Sequence, residues 1–423
     1  MKGLLLIFFI SCPVFTFAQF EPNYDESKIP DFILPDILVS ESKEKISNVD
    51  KWEKIRRPEI LELFESEVYG KMPDRIVEVK FQVVDIKKSA LDGLADRKQI
   101  KMIFSGNGKE HSADLLIYLP AKRNSPVPLF VGYNFYGNHT VFPDPDILIS
   151  ESWVDNYPSV GIFDHKPNEL SRGIRTYRWP IVNILTRGYG IALMHYGNID
   201  PDFDDGFQNG IHPLFYEEGQ SKPAPDEWGS IGAWAYGLIQ AMNYFEEDKD
   251  IDHTRVAVMG HSRLGKTSLW AGALDERFAM VISNESGCGG AAISMRRIGE
   301  TVGRINTVFP HWFSDNFNKY NENEDALPVD QHMLIALMAP RPVYIASAKG
   351  DPWADPKGEF LSGVYASPVY DLYGIQGLET REMPLVNQPI SAGSIAYHVR
   401  SGEHDLTYYD WEQFLNFADR FLK

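Results

Sequence analysis

Ser262 stands in the stretch R-V-A-V-M-G-H-S-R-L-G-K, residues 255–266, between a short apolar run and a helix-like segment from Leu264 to Leu274. A hydroxyl carried on such a strand-to-helix corner is held out above a sheet, and the N–H groups at the helix start point to where an oxyanion forms. This is the layout of a nucleophile elbow, although the common pattern has glycine two residues after the serine. Here Arg263 and Leu264 intervene before Gly265. A serine hydroxyl is too weak an acid to attack an ester unaided, so it needs an imidazole base, and the base needs a carboxylate to orient it. Of the 11 histidines, His404 in S-G-E-H-D follows the last strand-like run and gives the chain order serine, acid, histidine. His261 is read as structural, its side chain expected on the far side of the turn. Two carboxylates compete for the acid role, Glu285 in N-E-S-G and Asp351 in G-D-P-W, each following a strand-like run. Spacing alone leaves both open. Arg263 keeps its charge at any working pH, which suits a developing alkoxide, and Lys266 lies one helical turn beyond Ser262.

The elements that must position these groups alternate strand with helix. Within Val127–Asn138 a buried strand ends in a Gly/Asn-rich loop, and apolar runs at Gly188–His195, Val256–Met259, Phe278–Ser283, Pro342–Ala348 and Ala396–Arg400 read as further strands. Gly229–Phe245, Leu264–Leu274 and Trp411–Phe421 read as helices between and after them. The pattern predicts an α/β-hydrolase fold: a mostly parallel central sheet flanked by helices as a three-layer sandwich, with an N-terminal extension and insertions rimming the site. Ahead of this, residues 19–47 read as an extended surface arm, Pro58–Tyr69 as an amphipathic helix stopped by Gly70, and Val77–Val84, Gln99–Phe104 and Ala113–Leu119 as scaffold strands. The Gly/Asn-rich loop Asn134–Asn138 is where a second oxyanion N–H is expected. Residues 144–187, with Trp153, Arg172, Arg175, Arg178 and Trp179, form a long insertion that rims the site or pads the surface.

The chain has 423 residues, 43% of them hydrophobic, enough for one large core, and residues 19–423 are read as a single catalytic domain in which 19–90 form the arm and scaffold. A net charge of −18 repels phosphate backbones and argues against a nucleic-acid partner. Residues 1–18 carry Lys2, an apolar run and a small-residue exit at Ala18, as a secretory signal peptide does, and are too short for a permanent membrane span. Removing them takes Cys12 and leaves Cys288 alone, so no intrachain disulfide is expected, and the address is periplasmic or extracellular.

The motifs as a set resemble a known family. G-H-S-R-L-G-K at 260–266 is similar to the G-x-S-R-x-G-K elbow of the glucuronoyl esterases, carbohydrate esterase family 15. N-E-S-G at 284–287 resembles the segment in which fungal members carry a catalytic glutamate. D-P-W-A-D-P at 351–356 resembles the bacterial segment with an alternative acid and a sugar-facing tryptophan, and G-E-H at 402–404 the histidine loop. G-E-T-V-G-R-I-N at 299–306, leading into F-P-H-W-F, also resembles bacterial members. The resemblance spans roughly residues 120–423. It implies Ser262, His404 and Glu285 or Asp351 as catalytic, with the N-E-S-G context favouring Glu285. It also implies Arg263 at the oxyanion, and Lys266, Glu300 and Trp353 on the sugar. The implied substrate is a (4-O-methyl-)glucuronoyl ester in glucuronoxylan, as in lignin–carbohydrate linkages, with no metal and no cofactor; a monomer is expected. A fungal sugar-site glutamine has no counterpart placed here, and the fungal disulfides are absent, which favours the bacterial branch. The residues alone leave open an acetyl-xylan type of esterase, or a silent glycan-binding protein on the same fold.

Overall fold

A computed structural model describes residues 20–423; the segment read as a signal peptide lies outside the described residues. Nine strands form one sheet: β1 (Glu78–Ser89), β2 (Ala95–Gly106), β3 (Lys109–Pro120), β4 (Val127–Asn134), β5 (Gly190–His195), β6 (Ile251–His261), β7 (Met280–Asn284), β8 (Val343–Ala348) and β9 (Ile395–Arg400). Their spatial order is β1-β2-β3-β5-β4-β6-β7-β8-β9. The first three are antiparallel and join β5, while β5, β4, β6, β7, β8 and β9 run parallel. The predicted α/β-hydrolase architecture is therefore present. The antiparallel strands, read as scaffold, are an extension of the same sheet.

Covered on both faces, β4, β5, β7, β8 and β9 are buried throughout and β6 is buried from Val256 onward, which is why they read as continuous apolar runs rather than alternating ones. Their side chains nonetheless divide strictly by parity. Val256, Val258, Val281, Val343 and Ile345 face one core, with the helices α1 (Ser230–Glu247), α2 (Arg263–Leu274) and α3 (Pro356–Leu372). Ala257, Met259, Met280, Ile282, Tyr344 and Ala346 face the other, under α4 (Tyr408–Phe421) and the helix Ile181–Thr186. This is the three-layer sandwich.

The N-terminal helix differs from its expected start. It runs from Asn48, whose side chain caps Lys51 N–H at 2.9 Å, to Tyr69, with Pro58 inside it. A π-turn over Trp52–Arg56, in which Arg57 N–H reaches back to Trp52, carries the chain past a proline that has no N–H to donate. Gly70 ends it at φ 84°; a Cβ there would lie 2.1 Å from the Glu227 carbonyl oxygen. The insertion 144–187 is anchored by Arg172, which donates to the Asp144 and Ile147 carbonyls at 2.8 Å. Its Trp179 enters the core beside Trp411 rather than rimming the site.

Candidate active site

Four neighbouring parallel strands end side by side, and each hands one reactive side chain to the same edge. Ser262 follows β6, Glu285 follows β7, Asp351 lies just beyond β8 and His404 just beyond β9. Open α/β sheets collect their sites at this carboxyl edge.

The elbow is built by backbone geometry. Ser262 has φ 59° and ψ −129°, a conformation that costs about 1–3 kcal/mol in isolation and persists because the corner is locked from both sides. Its N–H donates to the Asn284 carbonyl at 2.8 Å, and its own carbonyl accepts from Gly265 N–H at 2.8 Å. Gly260 lets strand and helix touch, since a Cβ there would lie 1.9 Å from the Leu264 oxygen. The tight turn predicted at Gly260 and His261 is thus the last part of β6 itself, and the helix starts one residue earlier than expected, at Arg263. The first N–H groups of α2, those of Arg263 and Leu264, have no intrahelical partner.

His404 Nδ1 lies 2.6 Å from Asp351 Oδ2 in a hydrogen bond and 3.3 Å from Glu285 Oε2. Nδ1 is thereby occupied, and Nε2 has no hydrogen-bond partner among the described residues. The sequence context favours Glu285, whereas the geometry favours Asp351, because Glu285 is already engaged. Its Oε1 accepts from Arg400 at 2.5 Å and its Oε2 from Asp405 N–H at 3.2 Å. Burial pushes the Glu285 carboxyl up to about 7 against the pull of His404 and Arg400. Burial also opposes a charged His404, but the hydrogen bonds and charges of Asp351 and then Glu285 outweigh it and raise the imidazolium to about 9. His404 Nδ1 and the two carboxylates lie close enough together to hold a cation. Their mutual hydrogen bonding already accounts for the cluster.

Arg263 lies over Trp312, 4.6 Å from the ring centroid, and pairs with Asp202. Asp202 was not singled out from the sequence, where it is one acid among many in a loop. It is buried and accepts from Tyr196 Oη at 2.8 Å and Trp312 Nε1 at 2.7 Å, with His311 Nε2 at 3.0 Å. Burial would raise its pKa, and Arg263 and His311 more than reverse that. Only its convergence with F-P-H-W-F in space marks it out. Arg400, in the last strand, was likewise passed over.

Two cavities meet at Ser262, Arg263 and His404. The larger, about 350 Å³, is lined by Lys266, Glu300, Trp312 and Trp353 together with Glu285 and Asp351. Lys266 is buried and donates to the Ser286 carbonyl. Burial lowers its pKa, opposed chiefly by Glu300, whose own carboxyl burial raises. The smaller, about 170 Å³, is lined by Phe135, Tyr136, Asp155, Arg178, Tyr196 and His261. His261 is therefore on the site side of the turn, its ring centroid 4.5 Å from that of His404, contrary to its expected orientation. The reason is that β6 continues through His261, so side-chain alternation is not broken there. In the loop after β4, Asn134 turns inward and takes the Gly137 N–H at 2.7 Å, so Phe135 and Tyr136 are what that loop presents to the site.

A serine on a strained strand-to-helix corner, at the carboxyl edge of a parallel sheet with an imidazole and two acids, defines the class: the chain is an α/β-hydrolase and a carboxylic-ester hydrolase. The family model for fungal glucuronyl esterases matches residues 189–374. Carbohydrate esterase MZ0003, from an unknown prokaryotic organism, is 51% identical over 401 residues, covering 95% of this chain and 92% of its own. A solved structure described as a promiscuous CE15 esterase from the marine bacterial metagenome is 51% identical, with TM-score 0.89 over 95% of this chain and 100% of that one. The glucuronoyl esterase from Solibacter usitatus is 47% identical, with TM-score 0.89 over 94% of this chain and 100% of its own. The chain belongs to carbohydrate esterase family 15, the glucuronoyl esterases.

Proposed function

We propose that this protein hydrolyses esters of (4-O-methyl-)glucuronic acid in glucuronoxylan, as in lignin–carbohydrate ester linkages, with Ser262 as nucleophile. The observation that carries the reading is the larger cavity, which joins Ser262 and His404 to Lys266, Glu300 and Trp353. A charged amine and a carboxylate suit sugar hydroxyls, and an indole suits a sugar face. At about 350 Å³ the cavity is far larger than an acetyl group requires, which weighs against the acetyl-xylan alternative. The Solibacter relative described as a glucuronoyl esterase supports the same choice.

In this reading Ser262 Oγ attacks the C6 carbonyl while His404 Nε2 takes its proton, and Asp351, with Glu285 beside it, holds the ring. The Arg263 and Leu264 N–H groups and the Arg263 guanidinium stabilise the oxyanion. Collapse breaks the bond to the alcohol, whose oxygen takes the proton from His404. Water then releases glucuronic acid from the acyl-enzyme by the same steps. Residues 1–18 act as the export signal of a monomeric, single-domain enzyme; N-terminal sequencing of secreted protein that still begins at Met1 would overturn that part.

The test is hydrolysis of a benzyl glucuronate ester beside an acetylated xylan, by the wild type and by Ser262→Ala. We expect turnover of the glucuronate ester only, and loss on the order of 10⁴-fold or more in the variant. Preference for acetyl release would replace the substrate assignment; an active, folded Ser262→Ala would remove the nucleophile.

A further inference from the structure

His261, the last residue of β6, is buried and lines the smaller cavity beside Phe135, Tyr136 and Arg178, where that cavity opens on Ser262 and His404. Its tautomer is set from behind. The Asn284 side-chain nitrogen lies 2.9 Å from His261 Nδ1 and 3.0 Å from the Asp405 carbonyl oxygen. A carbonyl can only accept, so the amide turns its NH₂ towards Asp405, and the same group then donates to Nδ1. A neutral ring whose Nδ1 accepts carries its hydrogen on Nε2. That nitrogen has no hydrogen-bond partner among the described residues, and it is not one of the atoms sealed from solvent. The ring therefore presents an unused N–H donor to the cavity.

Resting on the glucuronoyl-esterase reading above, we propose that His261 Nε2–H is the hydrogen-bond donor to the alcohol oxygen of the ester, and that the smaller cavity is the alcohol's side of the site. With the acid part in the larger cavity, the ester carbon at Ser262 leaves the alcohol only the other lobe. Its lining of Phe135, Tyr136 and Tyr196 suits an aromatic or benzylic alcohol. When the tetrahedral adduct collapses, the bond from carbon to the alcohol oxygen breaks, the electron pair stays on oxygen, and the proton comes from His404. His261 donates a hydrogen bond throughout and keeps its own proton. Burial first, and then the neighbouring charge of His404, hold it neutral, so it does not compete as a base for the Ser262 proton. Two imidazoles side by side thus divide the work, one transferring a proton and one steadying the oxygen that receives it.

The experiment compares kcat/KM for the 4-nitrophenyl, benzyl and methyl esters of glucuronic acid. A donor on the alcohol oxygen matters most when the alcohol is a poor leaving group. His261→Phe should therefore lose at least about 10-fold more on the methyl ester than on the nitrophenyl ester, the size of one hydrogen bond to a developing charge. His261→Gln, whose amide nitrogen comes close to the place of Nε2, should recover much of the difference. A uniform loss across the three esters, or no loss, overturns the proposal. ¹⁵N NMR of histidine-labelled Ser262→Ala protein gives a reading free of activity: His261 should remain the Nε2–H tautomer across about pH 5 to 8, and an Nδ1–H tautomer or a titration there overturns it. A wild type that cleaves none of the three esters sinks the substrate reading itself, and the alcohol-side assignment with it.

Discussion

The two carboxylates at His404 are unequal in geometry, and that inequality is measurable. Asp351 makes the 2.6 Å hydrogen bond, while Glu285 at 3.3 Å is held by Arg400 and the Asp405 N–H. Asp351→Asn should therefore cost more in kcat than Glu285→Gln. Neither should reach the roughly 10⁴-fold loss of a sole triad acid, because the other still faces the ring. The double variant should fall below the product of the two single losses. Equal single effects that multiply would mean the acids act independently. The same pair sets the pH profile. In the mechanism proposed above His404 must be neutral to accept the serine proton, and its carboxylates hold it charged up to about 9. The ascending limb of kcat/KM should then lie above the ordinary imidazole value of about 6.5. Removing the Asp351 charge favours the neutral ring, so Asp351→Asn should shift that limb to lower pH. An unmoved limb in the variant would assign it to another group.

At the scale of elements, the elbow depends on β6 and α2 touching backbone to backbone. Gly260→Ala puts a Cβ 1.9 Å from the Leu264 carbonyl, an atom no side-chain rotation can move. Chemical denaturation should record a loss of about 3 kcal/mol, with activity falling in step, and unchanged stability would show that the corner can open. The elbow was legible in the sequence because strand, glycine, serine and helix follow one another within 20 residues and each signal is local. His261 was misread for the opposite reason. Whether its side chain faces the site depends on where strand alternation stops, and no residue type marks that point.

At the scale of the molecule, the buried ion pair between Arg97 of β2 and Asp144, 2.6 Å apart, ties the antiparallel end of the sheet to the insertion that brings Asp155 and Arg178 to the smaller cavity. Tyr118 also donates to Asp144 at 2.8 Å. Arg97→Ala strands a buried carboxylate and should cost about 3–5 kcal/mol by denaturant unfolding. Through the loosened insertion it should raise KM for esters of bulky alcohols more than for the methyl ester. A destabilised protein with the same KM for both would detach the insertion from alcohol binding.

The amino-acid sequence by itself determined the fold class and marked Ser262, His404 and the polar groups around them as the candidates that the structure brings together. Those follow from short-range signals: apolar runs bounded by turns, a serine between glycines, and chemistry-bearing residues placed just after strands. Only the tertiary structure decided which acid makes the short hydrogen bond to His404, since Glu285 and Asp351 sit in equivalent places after neighbouring strands and Arg400 and the Asp405 N–H hold one of them. It also decided that Asp202 holds Arg263 and that His261 faces the smaller cavity. The physical reason is common to all three. A side chain's role there is set by its distance to partners 53 to 143 residues away in the chain, for instance Asp351 to His404, Asp202 to Arg263 and His261 to His404, and sequence order carries no record of distance.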